Sequence, residues 1–266
     1  MLLRRISQHV KDQNWFAVLL DFFIVVVGVF VGIQVANWNE ERITKQNSLK
    51  ARADLIADLR NDLDVFAVRQ KFYLEVRDAS IKTLGILTGD FPASVEAQWQ
   101  FFRDAQFAGA AWPFKPSGQV YDQLLNAGKL GLISEPAVLR QMRDYYQDAA
   151  NEIGVTFKFD SNYRYQSRRL LSWPILNYQT VACSSQIANS DPSEVIGDQD
   201  TYYQPCATPE SLELRASITE TAMRIHGSEE LIADLRLQLS QLNTLIALIE
   251  YLTVEAKSLI AELENS

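Results

Sequence analysis

Four basic side chains, Lys158, Arg164, Arg168 and Arg169, interleave with Phe157, Tyr163, Tyr165 and Trp173. Guanidinium groups carry paired N–H donors that match carboxylate and phosphate oxygens. Such a cluster could therefore hold an anion, a lipid headgroup or the acidic surface of a partner. On a helix, Arg164 and Arg168 share a face one turn apart. The same charges could instead neutralise neighbouring acidic helices while the aromatics pack inward, and that blander role is favoured. Cys183 and Cys206 are the only cysteines. In an oxidising compartment they would pair and close a single loop, with two free buried thiols as the alternative.

Other chemistry finds little support. The two histidines, His9 and His226, are far apart in sequence, and no His or Cys spacing suggests a metal site. His226 near a helix end reads as a cap rather than a base. There is no G-x-S-x-G elbow, no phosphate-binding G-x-x-x-x-G-K-[ST] loop and no G-x-G-x-x-G turn. Acid pairs such as Glu229 and Glu230 read as the solvated face of a helix. The expectation is a protein with no catalytic residues, no cofactor and no metal.

The elements that position these residues start from Trp15–Asn39. Only one charge, Asp21, occurs in the 22 residues from Trp15 to Ala36. At about 1.5 Å per residue such a helix is long enough for a hydrocarbon core of about 30 Å. Arg4, Arg5 and Lys11 make the preceding flank the more basic one, which predicts a cytoplasmic tail over 1–14 and everything after Trp38 outside. A cleaved signal peptide is the competing reading. The length of the apolar run and the poor cleavage site at Gln34 and Ala36 count against it. Gly28 and Gly32 form a G-x-x-x-G step that Ala36 extends, and Asp21 lies two turns before Gly28 on nearly the same side. This stripe is either a helix–helix interface, with Asp21 bonded across it, or an incidental run of small residues with Asp21 snorkelling.

The remainder holds 22 basic and 31 acidic residues, a net −9 that disfavours nucleic acid. Its helical periodicity is strong. Residues 40–88 repeat apolar side chains every seven, at Leu59, Phe66 and Tyr73, with Leu55, Leu63 and Val76 beside them. They predict one long helix, possible to join to the membrane span. Ser94 caps a second helix to Gln106, and a rigid aromatic loop, Trp112–Pro116, follows. A third helix runs from Gln119 to Ala127 and stops at Gly128. Ser134 is expected to cap a fourth, continuing through Tyr146 and Ile153 to about Leu171. A short strand at Val155–Phe159 is the competing reading. Residues 173–208 are expected to form an irregular, disulfide-bearing excursion. Thr208 and Pro209 open the next helix, to His226. In 228–264, Ile232, Leu239, Ile246, Thr253 and Ile260 form one heptad line, and Leu235, Leu242, Ile249, Ala256 and Leu263 a second. Leu245, Leu252 and Leu259 widen the stripe beyond a two-stranded seam. The hexapeptide LIADLR occurs at both Leu55–Arg60 and Leu231–Arg236. The fold class is all-α: a transmembrane helix over 15–38, then an extended antiparallel helical bundle over 39–266.

The run Val25–Arg42 resembles the N-terminal signature of a bacterial family of uncharacterised single-pass membrane proteins. Its membrane helix ends in a G-x-x-x-[AG]-x-Q-x-x-N-W-N-E run, matched here by Gly28, Gly32, Gln34, Asn37, Trp38, Asn39 and Glu40. Val120–Tyr146 is similar to that family's second block, a helix, a Gly-Lys-Leu corner and a helix with paired tyrosines. The resemblance implies a membrane-anchored, mostly helical protein and carries over no functional residue; the cysteine-bearing stretch departs from the pattern. The expected partners are the lipid bilayer and either a second copy or another membrane complex, reached through the transmembrane helix and the outer bundle. The expected location is a bacterial inner membrane with the bundle in the periplasm. The alternative function is an extracytoplasmic ligand-binding, sensor-like domain. With about 14 residues expected on the cytoplasmic side, it would signal through a partner.

Overall fold

The computed structural model describes residues 15–133, 135–149, 153, 161–183, 203 and 206–265. The side chains of 15–18, 21, 132, 148 and 149 fall outside that description, as does the stretch proposed as a short strand. Among the described residues every regular element is a helix. They are α1 Trp15–Leu87, α2 Val95–Ala108, α3 Gln119–Asn126, α4 Pro136–Arg143, α5 Asn162–Arg169, α6 Trp173–Tyr178, α7 Leu212–His226 and α8 Glu229–Asn265. Contacts divide the chain into two units, ending and beginning at Ala53 and Asp54.

Among the described residues the first unit is α1 from Trp15 to Ala53, an apolar run followed by a charged one. From Phe22 onward this helix is long and apolar enough to cross a membrane, with a mean hydropathy of 1.8 over an 18-residue window. From Leu19 to Val35 its large apolar side chains are exposed, as are Gly28, Gly32, Gln34 and Ala36, and Trp38 is 67% exposed. Water would oppose so continuous an apolar surface, whereas lipid would not.

The second unit is built on two long helices with the same internal rhythm. On α1 the inward line is Leu55, Leu59, Asp62, Phe66, Arg69, Tyr73, Val76, Ser80, Thr83 and Leu87. On α8 it is Leu231, Leu235, Gln238, Leu242, Leu245, Ile249, Leu252, Ala256, Leu259 and Leu263. Both advance in alternating steps of four and three, which keeps one face of each helix turned inward. The two LIADLR copies have identical burial at all six positions, with both leucines inside. Arg60 Nη2 bonds Glu264 Oε1 at 2.8 Å, and Gln70 Nε2 bonds Glu250 Oε1 at 3.1 Å. Rising numbers on α1 therefore meet falling numbers on α8, and the pair is antiparallel.

On α8 the expected line Leu235, Leu242, Ile249, Ala256 and Leu263 is buried throughout, whereas the other expected line is buried at Ile246 and only half-buried at Ile232, Leu239, Thr253 and Ile260. That second line is rotated by one position and passes through Gln238, a polar residue that the apolar count skips. Its amide is satisfied on both sides: Nε2 donates to Ala108 O, and Oε1 accepts from Ser161 Oγ at 2.6 Å. Burial of an amide is tolerable on these terms.

The shorter helices close over these two. α7 packs on α2 and α6, while α8 receives α4 and α5. Trp99, Phe101, Phe102, Tyr163, Ile175, Ile218, Ile225, Leu231 and Leu235 share one buried cluster. The Trp112–Pro116 loop docks on α1 through Phe114 against Phe66, ring centres 5.9 Å apart, and Trp112 against Phe72 at 5.6 Å. Ser94 does cap α2, accepting from Ala97 N at 3.2 Å. Gly128, at φ 66°, ends α3 with Gly128 N on Leu125 O and Lys129 N on Leu124 O, a Schellman closure that needs a left-handed residue.

Four boundaries differ from expectation. The N-cap of α4 is Glu135 with Pro136 in its first turn, and Ser134 lies outside the described residues. α4 passes into a π-helical turn at Asp144–Ala149, and no single helix reaches Leu171. A new N-cap stands at Ser161, whose Oγ accepts from Arg164 N at 3.1 Å. Residues 173–183 are helical rather than irregular, because Ser172 and Pro174 supply a helix start. α7 begins after Ser211, which accepts from Leu214 N at 3.2 Å, and not at Thr208–Pro209.

Candidate functional site

The second unit holds a cleft of about 490 Å³ walled by the C-terminal end of α2, by α5, and by α6 with its following turn. On α2, Arg103, Gln106 and Phe107 fall on one side because they are three and four residues apart. α5 is held against α2 by Tyr163, whose buried hydroxyl donates to Ala105 O at 2.8 Å, and by Arg164, whose Nη1 donates to Gly109 O at 2.7 Å. A Cβ on Gly109 would sit 3.2 Å from Arg164 Cα, so a side chain there would push the two segments apart by a few tenths of an ångström. This docking leaves Arg168 exposed at the cleft. On α6, Ile175 is buried and Leu176 faces the cleft, joined by Thr180 of the following turn.

Tyr203 forms the remaining wall. Its N–H donates to Glu75 Oε2 at 2.9 Å, and its hydroxyl accepts from Gln100 Nε2 at 2.7 Å. Its ring packs edge-on against Phe107, centres 4.9 Å apart, beneath the Arg103 guanidinium. Burial, then the nearby Asp104 carboxylate, pushes the phenol well above its ordinary pKa, so it stays protonated. The disulfide Cys183–Cys206, with Cα atoms 5.4 Å apart, ties the segment after α6 to the one after Tyr203. Cys206 O accepts from Trp99 Nε1 at 3.1 Å and from Arg103 Nη1 at 3.5 Å.

Two polar groups of the cleft are unmatched. Gln106 Nε2 is buried without a hydrogen-bond partner among the described residues. The Arg168 guanidinium likewise has no ion-pair or hydrogen-bond partner among the described residues.

The expected basic cluster is therefore divided. Lys158 lies outside the described residues. Arg164, Arg168 and Arg169 line a neighbouring hollow of about 550 Å³ along α5. Within it, Arg164 is committed to Gly109, and Arg169 lies 5.4 Å above the Tyr165 ring. Among the described residues, Arg168 alone lines both hollows. Arg103, Gln106 and Tyr203 were not anticipated, because they come from segments far apart in sequence and show no local pattern. Asp21 lies within α1 but its side chain is outside the description. Gly28 and Gly32 have nothing within 4 Å of an added Cβ. Gln34, Ala36, Asn37, Trp38, Asn39 and Glu40 all lie on the exposed part of α1. Among the described residues no three His, Cys, Asp or Glu side chains gather into a set able to hold a metal.

A second polar centre lies inside the unit. Asp62 is 1% exposed and accepts from Ser117 N at 2.7 Å and Tyr145 Oη at 2.8 Å. Tyr146 beside it stacks on Tyr121, centres 4.7 Å apart, and its hydroxyl has no partner among the described residues. Desolvation raises the Asp62 pKa above its ordinary value, Asp58 adds to that, and the Ser117 and Tyr145 bonds oppose it. In the window above the ordinary carboxylate pKa the folded state then holds more proton than the unfolded one. Asp62 thus lowers stability as pH rises through that window. Asp62→Asn keeps an acceptor for Ser117 and removes the charge. The variant is expected to gain on the wild type as pH is raised from 4 to 7, measured by urea unfolding at each pH. A difference that is flat or shrinks with pH would refute the assignment.

The chain matches no family model, no curated protein and no solved structure.

Proposed function

We propose that the chain is a single-pass, membrane-anchored structural protein that acts by assembling with itself or with another membrane complex, without catalysis of its own. In this reading α1 crosses a bacterial inner membrane, the basic N-terminal tail is cytoplasmic and the helical bundle lies in the periplasm. The bridged cysteines support an oxidising compartment. The match of Gln34, Asn37, Trp38, Asn39 and Glu40 to the Q-x-x-N-W-N-E signature supports placement with that family.

The observation that carries the reading is the uncovered small-residue face of α1. A Cβ at Gly28 or Gly32 meets nothing, although such glycines let helix backbones approach closely when a second helix is present. Larger residues there therefore have no steric cost within one chain, and any effect they have is intermolecular. Gly28→Leu with Gly32→Leu is expected to leave the melting of the bundle unchanged while abolishing co-purification of the partner helix. The measurement is extraction in mild detergent, followed by mass spectrometry of what travels with the wild type and the variant. An unchanged set of companions, or wild type recovered as a bare monomer, would overturn the proposal.

A further inference from the structure

We propose that the cleft between α2, α5 and α6 binds a small organic carboxylate with an apolar body. Arg168 and the Gln106 amide would receive the carboxylate, and Phe107, Leu171 and Leu176 would receive the body. The inference is independent of the assembly reading and uses none of its residues.

Four observations lead to it. The first is volume: about 490 Å³ lies in the range of small-molecule sites. The second is the Gln106 Nε2 donor, buried and without a partner among the described residues. Leaving it unpaired costs stability that a leucine would not, so a residue kept for folding alone is a poor account of it. The third is Arg168, whose guanidinium is left without a protein partner among the described residues, in a unit rich in acids. The fourth is the lining, in which apolar and aromatic side chains stand beside two guanidinium groups. An arginine fork pairs with a carboxylate through two parallel bonds. The surrounding negative charge argues against polyphosphates and for a ligand with one anionic group. Asp104, engaged by Gln100 and close to Tyr203, sets the same limit from inside the wall.

The test is calorimetric titration of the full chain in zwitterionic detergent with phenylacetate, 3-phenylpropionate and indole-3-acetate, with inorganic phosphate in parallel. At least one aryl carboxylate is expected to saturate at one per chain. Arg168→Ala should weaken it about tenfold or more, the scale of a lost charge-assisted bond. Arg168→Lys keeps the charge without the fork and should also weaken it, which covers the case that the alanine variant folds poorly. Gln106→Leu is the decisive variant: it should bind more weakly yet melt no lower than the wild type. A purely structural Gln106 would show the reverse, lower melting with unchanged binding. Absence of saturable carboxylate binding, binding indifferent to Arg168 and Gln106, or Arg168-dependent binding of phosphate alone would each overturn the proposal.

Discussion

Replacing Trp99 by alanine is expected to destabilise the bundle by about 3–5 kcal/mol, the range for truncating a buried large aromatic. Trp99 is 2% exposed, lies parallel to Phe102 with ring centres 5.1 Å apart, and meets Tyr178 edge-on at 5.8 Å. Truncation opens a void between α2 and α6 that rigid neighbours fill only in part. It also removes the indole N–H that donates to Cys206 O at 3.1 Å. Trp99→Phe separates the two losses. It keeps most of the ring packing and deletes the bond, so its cost should be about 1–2 kcal/mol. Urea unfolding of the full chain, followed by far-ultraviolet circular dichroism, measures both. If the alanine variant lost less than about 1 kcal/mol, the packing of α2 on α6 described above would be wrong.

How far the sequence led can be judged from the same helices. The long elements were legible because each buries a face along many turns, so leucines, phenylalanines and tyrosines recur often enough to reveal the period. On α8 the line from Leu235 to Leu263 was legible, but its companion was not, because Gln238 occupies an inward position. Counting apolar residues moved that companion line to Ile232 and Leu239 beside it. Asp62 was invisible on α1 for the same reason, and Leu63 was taken in its place although it is only half-buried. Short helices were missed where the start signal is one serine in a polar stretch, as at Ser161 and Ser172. Of the cleft, only Arg168 was legible, as part of the basic cluster. Arg103, Gln106 and Tyr203 are brought to it by tertiary packing, and the Arg164–Gly109 contact that aligns the helices has no sequence spacing to betray it. The disulfide was the exception, since two cysteines in one chain leave only one intramolecular pairing.

That pairing is expected to matter for stability. Cys183 and Cys206 are separated by 23 positions. Cross-linking a loop of that size removes denatured-state entropy worth about 3 kcal/mol. Both residues also pack against the apolar cluster around Trp99, and Cys206 O receives the Trp99 and Arg103 bonds, so the link holds a segment that takes part in the core. Cys183→Ala with Cys206→Ala should therefore lower the melting temperature by roughly 10 °C, at about 2–4 °C per kcal/mol for a unit of this size. Dithiothreitol should lower the wild type by a similar amount and leave the double variant unmoved, which ties the effect to the bond and not to lost packing of the sulfurs. The Trp99→Ala loss should be smaller in the double variant than in the wild type, because both changes act on the segment around Cys206 and neighbouring sites do not add. Equal melting of the wild type with and without reductant would mean that the bridge constrains nothing. Additive losses would mean that Trp99 and the bridge hold separate parts of the bundle.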